Sequence, residues 1–309
     1  MKRAAAWAVL PALLVVVGVS WFVRDKSSGG GCEQQIVAGR EPPSPDTVGL
    51  AEVVMVSTSG SVTPITGDWV AVQPSFSPAG DEVVVVRAEG DYESAGPNHS
   101  ELWVVRPDGE GARRLTIGPL DDDPDWAPRQ DRIAFVRFDG STWSLMAVPS
   151  KGGEPRVVYQ PPDGSWLATP AWSPDGEAIV VLQVDATSAT TDRTTLMLVN
   201  ADGNGLRAVA PMPYTHSVDW HPDGGSVLVT GETNAYVVDI GSGNVARVAK
   251  GIASARWAHD GERVFFATSP GGILYEGTLI GHQLKPQRRI AEVGTAVYRY
   301  LDMDVNECP

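Results

Sequence analysis

One segment of this chain occurs five times, and a repeat of this size restricts the fold more than any other feature of the sequence. The copies are PSFSPAGDEVVVVR (74–87), PDWAPRQDRIAFVR (124–137), PAWSPDGEAIVVLQ (170–183), VDWHPDGGSVLVTG (218–231) and ARWAHDGERVFFAT (255–268). Their aromatic markers, Phe76, Trp126, Trp172, Trp220 and Trp257, lie 37–50 residues apart, close to the length of a four-stranded propeller blade. Each copy runs from a short aromatic-bearing strand through a tight Pro/Asp/Gly turn into a stretch rich in Val, Ile and Phe. That pattern predicts a β-hairpin.

A second hairpin alternates with the first. It reads ELWVVRPDGEGARRLT (101–116), STWSLMAVPSKGGEPRVV (141–158), TTLMLVNADGNGLRAVA (194–210) and NAYVVDIGSGNVARVA (234–249), with a looser copy at 271–291. An earlier copy, AEVVMVSTSGSVTPIT (51–66), precedes the first aromatic hairpin. Six outer hairpins against five inner ones leave one blade incomplete. Residues 295–306 (TAVYRYLDMDVN) are expected to supply inner strand material for the blade that 51–66 begins. A ring closed by both chain ends has no open sheet edge to invite aggregation. The expected fold is all-β, a six-bladed β-propeller over residues 50–309, preceded by an N-terminal transmembrane helix.

The inner repeat resembles the TolB-type propeller repeat, whose usual form is close to Pro170-Ala171-Trp172-Ser173-Pro174-Asp175-Gly176. The resemblance spans roughly residues 50–305 and implies a propeller that binds partners across one face. TolB proteins carry an α/β domain before the propeller; residues 26–49 here read only as a Gly/Pro/Ser-rich linker. The same repeat occurs in propellers fused to prolyl-peptidase-like hydrolases, and no stretch of this sequence remains for a hydrolase domain.

Residues 4–23 form an uncharged apolar run, long enough to cross a bilayer as a helix. Lys2 and Arg3 precede it and Arg24, Asp25 and Lys26 follow, a bias that keeps the N-terminus inside and sends the remainder across the membrane. The expectation for residues 1–25 is a retained anchor, with a cleaved signal peptide as the alternative. The two cysteines, Cys32 and Cys308, bracket the exported region. They could form a disulfide there, or Cys32 could carry a lipid. The net charge of −14 argues against a nucleic-acid partner, which needs clustered Lys and Arg.

In a propeller the turns inside the hairpins share one end of the ring, and the connections between hairpins share the other. The turns here are short and alike; the connections, such as 90–100, 161–169 and 184–193, are long and varied. Varied loops on a rigid scaffold are where binding residues tend to lie. The connections into the inner strands carry Trp69, Asp121, Asp122, Asp123, Trp166, Tyr214 and His216, the candidate rim for a peptide, a cationic group or a sugar. Trp69 and Trp166 could equally pack between blades, and an Asp run is usually a solvated loop or a turn cap.

No serine-nucleophile elbow (G-x-S-x-G) or zinc-protease motif (H-E-x-x-H) occurs. His221 and His259 read as turn residues rather than zinc ligands. GSGNVA (241–246), GNGLRA (203–208) and NADGNG (200–205) fall in hairpin turns, without the helix or the terminal Glu that a nucleotide or calcium site needs. No catalytic residue, metal or cofactor is assigned. The expected function is a membrane-anchored extracytoplasmic binding module, an envelope scaffold or sensor, with a protein or peptide partner or a small ligand. The alternative is a propeller lyase or hydrolase acting on a glycan or peptide at the channel mouth.

Overall fold

Val83–Val86 and Ile179–Leu182 are buried at every position. A strand with one wet face would expose alternate residues, so these runs need sheets packed against both faces. The computed structural model describes residues 35–40, 52–57, 61–66, 69–89, 99–185, 193–213, 215–231, 233–268, 273–292 and 304–305. In it the strands form six four-stranded sheets, paired antiparallel throughout. They are the blades of a propeller.

Blades 2 to 6 each take four consecutive strands, starting at the channel. The inner strands are Ala71–Phe76, Asp121–Trp126, Ser165–Trp172, Thr215–Trp220 and Ile252–Trp257. Blade 1 is assembled from both ends of the chain. Its order is Asp304–Val305, Gln35–Arg40, Glu52–Ser57 and Val62–Pro64. Residues 35–40, read from the sequence as part of a linker, are therefore a blade strand, in register from Gln35 opposite Ser57 to Arg40 opposite Glu52. Only Ile36 and Val37 are strongly β-forming there, so its signal was weak; both are buried. Val305 pairs with Ile36, so C-terminal residues do join the blade that 51–66 continues.

The core lies between the blades. Val53, Ile65, Ala71, Phe76 and Val85 fill the gap between blades 1 and 2. Val86, Leu102, Trp126 and Phe135 fill the next. Trp172 with Leu145 and Val181, then Trp220 with Leu196 and Val229, continue the series. A larger cluster around Trp257, Phe265 and Phe266 reaches Ile36 and Val54, closing the ring onto blade 1.

Polar clasps reinforce the outer rim. The outermost strands of blades 2, 3 and 4 begin with Arg113, Arg156 and Arg207, and each guanidinium donates to a carbonyl of the following blade, Ser150, Ala201 and Ile240 respectively. Gly203 lies in the adjoining turn with φ +91°, and a Cβ there would sit 2.8 Å from the Val158 carbonyl oxygen of the blade before. Gly152 has a similar φ, +97°, with open space around it. Gly203→Ala should therefore cost about 2 kcal/mol more than Gly152→Ala, the excess arising from backbone displacement between blades. Urea unfolding of the two variants measures that difference.

Candidate functional site

The aspartate run is strand rather than loop, and its first two residues are buried. Asp121, Asp122 and Asp123 open the inner strand of blade 3. Asp121 is 0% exposed and accepts two bonds from Arg137, from Nε at 2.6 Å and Nη2 at 2.8 Å. Asp122 is buried, accepts a 3.3 Å bond from the Ser100 hydroxyl, and has its pKa pushed up to about 7, chiefly by burial. Asp123 bridges three blades. Its Oδ1 accepts from Gln73 Nε2 at 2.5 Å, its Oδ2 accepts from the Thr169 N–H at 2.9 Å, and its own N–H donates to Gln73 Oε1 at 3.0 Å. Gln73, Asp123 and Thr169 occupy equivalent bulges, each with φ of 45–51° and each followed by proline. Those three left-handed residues are held by the side-chain and backbone bonds that join the blades.

Trp69 is also engaged within the fold. Its ring meets Trp103 edge-on at 5.5 Å, and the Arg87 guanidinium lies 5.0 Å from one ring centre and 4.8 Å from the other. Trp166 keeps partial exposure at the loop-bearing end, 6.5 Å from Trp143, which stacks on Phe138 at 5.0 Å. His216 lies in the inner strand of blade 5. Tyr214, Cys32, Cys308 and the N-terminal apolar run lie outside the described residues. Among the described residues no helix is long and apolar enough to cross a membrane.

The cavity in the channel lies at the opposite end, where the short turns gather. Phe76, Trp126, Trp172, Trp220 and Trp257 wall a space of about 300 Å³. Pro78, Pro128, Pro174, Pro222 and His259, all two residues beyond those aromatics, surround it. The polar lining comes from Asp125, Asp219 and Arg256, each directly before a tryptophan.

That position fastens blade to blade. Ser75 Oγ accepts from the Trp126 N–H at 3.0 Å, Asp125 Oδ2 from the Trp172 N–H at 2.7 Å, and Asp219 Oδ2 from the Trp257 N–H at 2.6 Å. Blade 4 has Ala171 there, and the Trp220 indole donates instead to its carbonyl at 3.0 Å. Arg256 Nη1 donates to Ser217 Oγ at 2.6 Å, and its Nε lies 3.9 Å from Asp219 Oδ1. Burial pushes the carboxyl of Asp125 up to about 7 and that of Asp219 to about 6, against the lowering effect of the N–H donors and Arg256.

The site is thus aromatic, rigid and weakly acidic. The sequence points instead to the other end of the ring, where the variable loops lie. The one signal it holds for the cavity is an Asp directly before Trp in two copies of the repeat. His221 adds another link between blades, with Nε2 3.0 Å from the Gly261 carbonyl. Among the described residues no cluster of His, Cys, Asp or Glu is placed to hold a metal.

Fold and channel together define a TolB-like six-bladed β-propeller. TolB from Acinetobacter baumannii superposes with a TM-score of 0.61 at 12% identity, covering 83% of this chain and 64% of that one. An oligogalacturonate lyase in complex with manganese gives 0.58 at 14% identity, covering 86% and 97%. A puromycin hydrolase gives 0.59 at 18% identity, covering 90% and 48%. In sequence, the chain is 37% identical over 144 residues to the Tol-Pal system protein TolB of Anaeromyxobacter dehalogenans, covering 45% of this chain and 32% of that protein. It is 29% identical over 126 residues to the uncharacterized peptidase YuxL of Bacillus subtilis, covering 40% and 18%. The chain therefore spans less than a third of either curated relative. No protein-family model matches it.

Proposed function

We propose that this protein is a membrane-anchored, extracytoplasmic recognition module that binds a protein or peptide partner of the cell envelope through its propeller channel. The observation that carries this reading is the aromatic cavity at the turn-bearing end. Its carboxylates are held as acceptors for the N–H groups of neighbouring blades, which makes a preformed receptor with little rearrangement left to undergo on binding. Likeness to TolB, a named component of the Tol-Pal system, supports a partner in the envelope. The apolar run at 4–23 supports anchoring, with the propeller outside the membrane. The loop-bearing end, where Trp166, Trp143 and Phe138 lie close together, is the second surface such a partner could use.

Capture from native membranes by the tagged full chain tests this. The module should retain one partner in stoichiometric amount, and His259→Trp, which crowds the cavity rim, should reduce capture at least tenfold in a folded protein. Loss instead with Trp166→Ala would move recognition to the loop-bearing end. Capture of nothing by the wild type would contradict the reading.

A catalytic reading has one observation in its favour. Burial pushes the Asp125 carboxyl beside the cavity up to about 7, the range useful to a general acid or base, and propeller neighbours include a lyase and a hydrolase. Hydrolysis or elimination on a glycan or peptide, abolished by Asp125→Asn, would establish it.

A further inference from the structure

The cavity's chemistry narrows what it can hold, given that it is a recognition site at all. Five aromatic residues line one small space, each mostly buried between blades. Ring faces attract cations, and the attraction grows where water is excluded. The ionisable lining groups are Asp125, Asp219 and Arg256, and Arg256, whose charge acts on both carboxyls, is already occupied by Ser217 Oγ at 2.6 Å and by Asp219 at 3.9 Å. Asp125 and Asp219 each use Oδ2 on a backbone N–H of the next blade. A carboxylate accepts at two oxygens, so each retains acceptor capacity beyond that bond.

A second feature is independent of the carboxylates. Trp172 and Trp257 line the cavity at 4% and 7% exposure, and the indole N–H of each lacks a hydrogen-bond partner among the described residues. The equivalent N–H of Trp220 has one, the Ala171 carbonyl. Buried donors of this kind are normally satisfied. Both nitrogens are shut off from the open cavity, so a ligand there meets the carboxylates rather than these donors.

We propose that the cavity seats a basic side chain, lysine or arginine, presented by a peptide segment, with its cationic head between Asp125 and Asp219 and its aliphatic stem along Trp126, Trp172, Trp220 and Trp257. The stem suits the apolar walls, since long basic side chains cover apolar surface with their methylenes. A cation between the carboxylates would offset the cost of burying them. An acidic side chain would bring a further carboxylate beside two carboxyls whose ionisation burial already opposes.

Three probes with the same backbone test the proposal: the N-acetyl, N-methylamide derivatives of lysine, norleucine and glutamate. Each is titrated into the full chain, with tryptophan fluorescence as the readout because four indoles wall the site. The lysine probe should give a saturable change, with affinity at least tenfold above norleucine and no binding of glutamate. Asp125→Asn/Asp219→Asn keeps an oxygen acceptor for each backbone N–H and removes both charges. It should bring lysine down to the norleucine level, with the near-ultraviolet circular dichroism unchanged. Equal binding of norleucine, or preference for glutamate, would overturn the cation assignment while leaving the cavity a recognition site. No saturable change with any probe would overturn it too, and the membrane capture described above then decides separately whether the recognition reading stands.

Discussion

Arg137→Ala should lower the stability of the folded chain by about 3–5 kcal/mol, because it strands a charge in the interior. Asp121 is 0% exposed, and both its oxygens are committed to Arg137 at 2.6 and 2.8 Å. The two residues face each other across the first two strands of blade 3, where Asp121 is the register partner of Arg137. Removing the guanidinium leaves a carboxylate with neither water nor counter-charge. Removing both charges should cost less, so Asp121→Asn/Arg137→Gln is expected to lie well above the single alanine variant. Urea unfolding followed by tryptophan fluorescence gives both values. A loss under about 1 kcal/mol for Arg137→Ala would show that the pair is solvated in the folded protein.

Asp122 presents the opposite case, a buried carboxyl without a cationic partner of its own. Burial pushes its pKa up to about 7; the Ser100 hydroxyl opposes that rise and the Asp121 charge adds to it. In the unfolded chain the same group titrates near 3.8. Between those values the folded protein keeps a proton that the unfolded chain has released. The group's contribution to stability is thus complete below about pH 4 and is lost as pH rises towards 7, staying constant above that. A tenfold change in proton affinity corresponds to about 1.4 kcal/mol, so the loss across this window is on the order of 4 kcal/mol. Asp125 and Asp219, raised to about 7 and about 6, slope the same way. Asp122→Asn retains an oxygen acceptor for Ser100 and cannot ionise. It should raise the unfolding midpoint at pH 8, leave it nearly unchanged at pH 4, and flatten the dependence between. A midpoint that falls at pH 8 would contradict this account.

The blades were legible in the sequence because each carries two hairpins whose Val- and Ile-rich strands must be covered on both faces. Phe76, Trp126, Trp172, Trp220 and Trp257 marked the register of the inner strands, as each of the five is the last residue of one. Gln35–Arg40 was not legible. A six-residue strand with two β-formers and a glycine gains its stability from the Glu52–Ser57 strand beside it, a tertiary effect that local pattern does not carry.

The site divides in the same way. Asp121 to Asp123 stood out as a charge run, and in the structure Arg137, Ser100, Gln73 and the Thr169 N–H engage them one by one. Asp125 and Asp219 escaped notice because each sits singly within a repeat that looked purely structural. Their role depends on the next blade, 38–47 residues onward in the chain, whose tryptophan N–H they accept. That pairing follows from the packing of each blade on the next, which no local spacing reveals.

The central claim is that recognition occurs at the turn-bearing end of the channel. Hydrogen–deuterium exchange of the full chain, alone and with its captured partner, tests it most directly. Slowed exchange is predicted for the amides around 76–80, 126–130, 172–176, 220–224 and 257–261, with the outer strands unchanged. Protection confined instead to 138–143 and 161–169, at the other end of the ring, would contradict it.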